Sequence, residues 1–320
     1  MGYNTLVLAN RSIQIIGRGG LRMTQLVDLS ISIVSYNTAA YLRHCLRSIY
    51  HNIVGISFEV IVVDNGSRDG TAEMLKREFS QVCLITNSEN RWFPRAHNQA
   101  LALAKGRFFL FLNPDTEIPR GTCETLVRFL ELNQDVGAVG CQERNRSGLV
   151  VRTGSALLTP WIGVLERTTL GSVVRLKQFS YRYHLIDWAR DTSRDVEALT
   201  NCFLMVRTDL LERCNGLDER FLLYYTDNDL SLRIRNAGFR VHYLADCHYI
   251  HHGSRATEQI GKRERERILE LDMWKYFGKH FGILTPWLMR LIIWLANTVL
   301  GCLIKLYREA RYGSRTETSL

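Results

Sequence analysis

The 320-residue sequence predicts an α/β domain with a mostly parallel central sheet, helices on both faces of that sheet, and additional amphipathic helices at the C-terminus. Two observations predict it. Strand-length apolar runs alternate with amphipathic helical patterns from Leu29 onward, and polar residues gather directly after the C-terminal ends of those runs. Near-continuous apolar strands belong to parallel sheets buried on both sides, and such sheets bind ligands at the carboxyl ends of their strands.

The elements follow in order. LSISIVS (29–35) reads as a buried strand, and a helical pattern covers 39–50. FEVIVVD (58–64) is a second strand, with a helix over 71–79; VCLIT (82–86) is a third, before a helix over 94–104 opened by Pro94. RFFLFLN (107–113) is a fourth strand, with a helix over 121–133. VGAVGC (136–141) and the stretch 196–207 return to strand character. Between them the basic, aromatic 176–191 has no firm assignment; it is an acceptor-facing insertion or a surface loop and helix.

Residues 216–252, GLDERFLLYYTDNDLSLRIRNAGFRVHYLADCHYIHH, organise the chain. Leu230, Ile234 and Ala237 repeat at helical spacing, and Gly238 stands where a left-handed C-terminal cap belongs. Asp227, three residues before Leu230, heads the inward stripe beside Phe221, Tyr224 and Tyr225, as a general base would. Asp229 is expected to face outward and pair with Arg233. The plainer reading of both acids is a helix N-terminus that favours negative charge. It is preferred for Asp229 and set aside for Asp227.

The formal charge of +9 suits nucleic acid, an anionic membrane surface or a phosphorylated substrate. No nucleic-acid-binding motif accompanies it, which makes the first the weakest. Eight scattered cysteines without a CxxC pair read as reduced thiols in core positions. Residues 1–22 lack the pattern of a signal peptide, and Met23 is a more natural opening, so residues 1–26 are read as an N-terminal extension. The main domain is assigned to 27–260 and a helical region to 261–320. In that region KRERERILELDMWKYFGKHF (262–281) is a charged amphipathic helix, followed by an apolar stretch uncharged from Leu291 to Ile304. The expectation is a helix at the membrane interface; a span, or a buried core or dimer helix, are the alternatives.

Three strand ends converge on one crevice: Tyr36-Asn37, Asp64-Asn65-Gly66-Ser67 and Asn113-Pro114-Asp115. Asp64 can take a donor from a nucleobase or sugar, or simply belong to a capped βα turn. Asn113 and Asp115, two apart, can both point toward a divalent ion bridging phosphates, although NPD alone is a common turn.

IVSYN, VVDNGSRDGT, LNPDTE and the 216–252 stretch together resemble the ordered motifs of family 2 glycosyltransferases, in the rhamnosyltransferase-like branch, over residues 29–257. The resemblance implies a GT-A fold, a nucleotide-sugar donor, Mg²⁺ or Mn²⁺, and inverting transfer. It further implies a glycan acceptor carried on a polyprenyl diphosphate at the cytoplasmic face of a membrane, in cell-surface polysaccharide synthesis. By position, Ser35 and Asn37 line the donor pocket with Asn113, Asp64 binds the base, Asp115 is the metal-binding acid, Asp227 the catalytic base, and His251 a metal or diphosphate ligand. The chain departs from the pattern at Thr226, where an acid is usual, and at Trp92 and Asn201, where glycine is common; HHGSRA leaves His251 or His252 as the ligand. These departures motivate one rival, a non-catalytic membrane scaffold. A sugar nucleotidyltransferase is disfavoured because IVSYNTAAY replaces its glycine-rich loop.

Overall fold

The computed structural model describes residues 7–8, 11–16, 20–25, 27–168, 170, 174–253 and 255–312. Of the N-terminal extension it describes three strands, β1 (Val7–Leu8), β2 (Arg11–Ile16) and β3 (Gly20–Gln25), paired in a sheet of their own. The remainder of the extension lies outside the described residues.

The first half of the domain alternates as the sequence predicts. It runs β4 (Val27–Ser35), α1 (Ala39–Asn52), β5 (Phe58–Asp64), α2 (Thr71–Glu78), β6 (Cys83–Thr86), α3 (Trp92–Leu101), β7 (Gly106–Leu112), β8 (Thr116–Glu117) and α4 (Thr122–Leu132). Helix α3 starts two residues before Pro94, which is tolerated because the N–H groups of a first turn have no intrahelical partner to lose. The second half contains β9 (Val136–Arg144), β10 (Val150–Val151), α5 (Pro160–Glu166), α6 (Val174–Tyr183), β11 (Arg194–Val196), β12 (Phe203–Arg207), α7 (Thr208–Arg213), α8 (Thr226–Asn236), β13 (Arg240–His251) and α9 (Arg255–Glu258). Helices α10 (Lys262–Phe281) and α11 (Thr285–Tyr312) close the chain.

The sheet order is β11-β13-β9-β12-β7-β4-β5-β6. Pairs β4–β5, β4–β7, β5–β6 and β9–β13 are parallel, while β12 lies antiparallel between β7 and β9. The sheet is therefore mixed, a nuance that strand-length apolar runs do not encode. Alternation along β4 explains the layering. Leu29, Ile31 and Ile33 enter a core with Leu42, Leu46 and Ile49 of α1, whereas Ser30 and Ser32 face the other side, still fully buried. The serines are affordable because both are bonded: Ser30 Oγ meets Glu59 and the Gly106 N–H, and Ser32 Oγ lies 2.7 Å from Nδ1 of His97. The second face packs Ile61, Phe109, Leu204 and Val206 under α3, α7 and α8.

A third core joins α5 to the C-terminal helices through Leu158, Ile162, Phe221, Met273, Tyr276 and Phe277. Gly163 permits that approach, since a Cβ there would stand 2.7 Å from Met289 Cε and 2.8 Å from Phe277 Cζ. The boundary drawn at 260/261 thus precedes a helix that packs into the domain. Among the described residues no helix is long and apolar enough to cross a membrane, which removes the spanning alternative for them. The described cysteines are free and mostly buried; Cys83 is exposed.

Candidate active site

A cleft of about 520 Å³ opens at the carboxyl ends of β4, β5 and β7 and extends beneath α5 to the start of α8. Its size suits a small-molecule ligand. Of the residues singled out in the sequence, Asn113, Asp115 and Asp227 line it, whereas Ser35, Asn37, Asp64 and His251 are not among its lining residues and act on it through their neighbours.

At the first end, the β4 and β5 loops are laced together by their own polar side chains. Asn37, left-handed at φ 52°, accepts the Arg68 N–H through Oδ1 at 2.8 Å and donates its own N–H to Ser67 Oγ. Asp64 Oδ1 accepts the Ser67 N–H at 3.0 Å. Ser35 is fully buried, its hydroxyl 2.8 Å from Thr38 Oγ1, so it braces the turn while its neighbours Val34 and Tyr36 form the wall. Alternation along an extended strand makes the correction: the residues flanking Ser35 face the cleft, and Ser35 does not. Asn65, named with its strand end but given no role of its own from the sequence, lines the cleft and ties β5 to the next loop through Asn90, Asn87 and the Arg91 N–H. Trp92 holds φ 67°, the left-handed backbone for which glycine is the usual residue.

At the middle of the cleft, Asn113 and Asp115 lie where the strand-end argument puts them. Asp115 is almost fully buried; Oδ1 lies 3.3 Å from His251 Nε2 and Oδ2 accepts the Arg255 N–H at 3.0 Å. His252 turns away to Glu117 and Arg146, so the choice between the paired histidines falls on His251. Two partners of His251 carried no sequence signal. Glu143 approaches its Nδ1 at 2.9 Å, and Cys202 Sγ lies within 3.6 Å of the ring. Glu143 arrives by the parallel pairing of β9 with β13, which sets it beside Tyr249, whose hydroxyl donates to it at 2.6 Å. Burial would lower the His251 pKa, but Asp115, Cys202 and Glu143 raise it to about 12. The imidazolium supplies the positive charge that two buried acids require. The side chains that lie close enough together to share one cation are Glu143, Cys202 and His251, the histidine serving once it gives up its proton, while Asp115 meets the ring at its other nitrogen. Burial pushes the Cys202 thiol up, which keeps it protonated and a poor ligand.

At the far end stands Asp227. Its Oδ1 accepts from the N–H of Asn228 at 2.8 Å and from Nδ2 of Asn228 at 3.2 Å, and among the described residues it has no cationic partner. Burial therefore raises its pKa above the ordinary 3.8. Asp229 differs. It does pair with Arg233, at 2.8 Å, but it is buried and not outward-facing, because α10 covers it with Lys279 and His280. Burial alone would raise its pKa, yet His280, Arg233 and Lys279 hold it below the carboxylate norm. Periodicity within one helix could not reveal a second helix laid across its outer face.

Helix α10 also fixes the loop that leads into α8. The fully buried Asp272 accepts the N–H groups of Leu222, Leu223 and Tyr224 at 2.8–3.0 Å. Tyr225, in left-handed conformation at φ 62°, then turns the chain into the helix. Removing the acceptor leaves three N–H donors unmatched, at about 1–3 kcal/mol for each that stays dry. Asp272→Ala is expected to lower Tm and to reduce turnover at least tenfold, read by thermal melts and single-turnover rates. A variant with unaltered turnover would show that the loop needs no such anchor.

The glycosyl transferase family 2 model matches residues 30–183. Over that stretch, just under half of its length, the chain is similar to this family. It is 28% identical over 235 residues to the O-antigen biosynthesis protein RfbC of Myxococcus xanthus, covering 72% of this chain but 17% of that longer protein. It is 23% identical over 240 residues to the N-acetylglucosaminyl-diphospho-decaprenol L-rhamnosyltransferase of Mycobacterium tuberculosis, covering 72% of this chain and 77% of that one. Among solved structures, a mannosyltransferase from Pyrobaculum calidifontis in complex with GDP-Man and Mn²⁺ aligns at TM-score 0.52 and 19% identity, over 88% of this chain and 81% of that one. That likeness establishes the GT-A-like fold. The rhamnosyltransferase-like branch read from the motifs agrees with the curated relatives.

Proposed function

We propose that this protein is a family 2 glycosyltransferase that moves a sugar from a nucleoside diphosphate donor to a hydroxyl of a lipid-linked glycan, with inversion, by single displacement. The observation that carries the reading is the arrangement of the cleft, with an uncompensated carboxylate at one end and a buried acid–histidine cluster against its middle. The donor diphosphate lies toward Asp115 and His251, and the acceptor hydroxyl toward Asp227. A Mg²⁺ or Mn²⁺ ion held by Asp115 and His251 would neutralise the departing diphosphate, with Glu143 orienting the ring from its other nitrogen. Asp227 takes the acceptor proton as its oxygen attacks the anomeric carbon from the opposite side. A raised pKa suits that task, because it makes the carboxylate a stronger base.

The base must be ionised to act, so the rate rises with pH through the Asp227 pKa. The acid limb of the rate profile is expected above 3.8, the ordinary aspartate value. A limb at or below that value would remove Asp227 from the role. The wider reading is tested by offering UDP-, GDP- and dTDP-sugars with Mn²⁺ or Mg²⁺ and scoring thermal shift and nucleoside diphosphate release. Release with one donor identifies the substrate; dTDP-rhamnose is the first choice, given the curated relatives. Binding to none would favour the non-catalytic scaffold.

The acceptor side of the proposal includes a membrane surface. Ile283 and Leu284 just before α11, and Trp287, Leu291, Trp294 and Val299 along it, are exposed, with Arg290 among them. Interfacial helices combine apolar area, tryptophan and basic residues in this way. The protein is expected to float with vesicles containing anionic lipid, and Trp287→Glu with Trp294→Glu to remain in the soluble fraction. Equal flotation of both would remove α11 from membrane docking at the cytoplasmic face.

A further inference from the structure

The two departures from the family pattern nearest the base, Thr226 and Asn201, are far apart in sequence but touch in the fold. Asn201 Nδ2 lies 3.3 Å from Thr226 Oγ1, both side chains are buried, and both line the cleft. This contact leaves Asn201 Oδ1 with no hydrogen-bond partner. Rotating the amide about its last torsion exchanges which atom is unmatched but still leaves one. Two residues beyond Thr226, Asn228 repeats the situation. Its Nδ2 is committed to the Asp227 carboxylate, which fixes the amide orientation, and its Oδ1 is buried without a partner. A buried polar atom left unmatched costs about 1–3 kcal/mol, so two in one cleft wall call for a ligand.

The location says which part of the ligand. Asn201 precedes Cys202, whose carbonyl accepts the Asn113 N–H and whose thiol touches His251. Through Thr226 it also adjoins Asp227. It therefore stands between the part of the cleft assigned to the departing diphosphate and the base that activates the acceptor. In a single displacement the transferred ring occupies that interval, since its anomeric carbon lies between the leaving and attacking oxygens.

Resting on the transferase reading, we infer that Asn201 Oδ1 and Asn228 Oδ1 accept hydrogen bonds from ring hydroxyls of the transferred sugar and thereby select it. The pairing of Asn201 with Thr226 is neutral where the family usually carries an acid, so the sugar is recognised by acceptor atoms without a second negative charge beside Asp227. Sites of this kind discriminate strongly against a sugar lacking the matching hydroxyl, because the protein atom is then left buried and unpaired.

The test measures affinity of the full chain, with Mn²⁺, for UDP, GDP and dTDP, and for UDP-GlcNAc, GDP-mannose and dTDP-rhamnose. For the nucleotide sugar that binds, Asn201→Gly is expected to weaken affinity about tenfold, as loss of one such bond does. Affinity for the matching nucleoside diphosphate should stay within about twofold, which also shows that the variant is folded. Asn201→Asp, which keeps an acceptor in place and can accept from Thr226, should retain most of the sugar affinity. Equal losses for the diphosphate and its sugar, or no loss for either, overturn the inference while leaving the transferase reading intact. Failure of the unaltered chain to bind any nucleoside diphosphate overturns the transferase reading itself, and this inference with it.

Discussion

Asp227→Asn is expected to lower turnover about a thousandfold while donor affinity changes by less than about twofold, since a positioned general base contributes roughly 10²–10⁴ to rate. The amide keeps the size of the side chain and can still accept from the Asn228 N–H, so the start of α8 should be undisturbed. The substitution should also stabilise the fold at neutral pH. Burial raises the folded-state pKa of Asp227, so the fold favours the neutral form. The stability this gives is fully present below the unfolded value of 3.8 and is lost as pH rises through the raised folded value. At pH 7 the ionised carboxylate is therefore a liability, and Asn should melt higher. The gain should vanish in melts at about pH 3, where aspartate is itself neutral. Loss of donor affinity with loss of activity would instead assign Asp227 to binding.

Arg190→Met is expected to destabilise the protein on the order of 4 kcal/mol, one of the largest effects for a single side chain here. Arg190 is fully buried, and its guanidinium donates to five carbonyls: Thr153, Gly154, His184, Leu185 and Trp188, at 2.6–3.0 Å. The same guanidinium lies 4.6 Å from the Trp188 ring centroid. Among the described residues it pairs with no carboxylate; carbonyl dipoles carry its charge. Methionine fills similar volume but donates nothing, leaving those carbonyls dry and unmatched. Arg190→Lys, with three donors at one point, should recover part of the loss. Because Tyr183 and His184 line the cleft, Arg190→Met should also weaken acceptor use in protein that remains folded. A melting temperature within about 2 °C of the unaltered chain would mean that water or rearrangement replaces the clamp.

Most of the first half of the fold was legible in the sequence. Strands β5 and β7 are apolar over most of their length, β4 alternates Leu29, Ile31 and Ile33 with buried serines, and turn residues punctuate all three, so local pattern and burial agree. The same periodicity placed Asp227 at the head of α8 and foresaw the left-handed Gly238, observed at φ 88°. Asp115 was legible because a strand end in such a sheet is already a ligand-binding position.

What the sequence did not disclose depends on pairs that are distant along the chain. Glu143 reaches His251 across 108 residues, Asn201 meets Thr226 across 25, and Asp272 takes the loop before α8 across about 50. The 176–191 stretch resisted assignment because its organising residue, Arg190, donates to backbone carbonyls, which every residue possesses and no sequence pattern marks. Asp229 was misread for the related reason that the helix covering it comes from 50 residues further on. The sequence by itself therefore determined the alternating framework, the crevice and its two principal acids. Only the tertiary structure decided which polar atoms are matched, which are not, and that α10 belongs to the site, because hydrogen-bond satisfaction is a property of neighbours in space and periodicity one of neighbours in sequence.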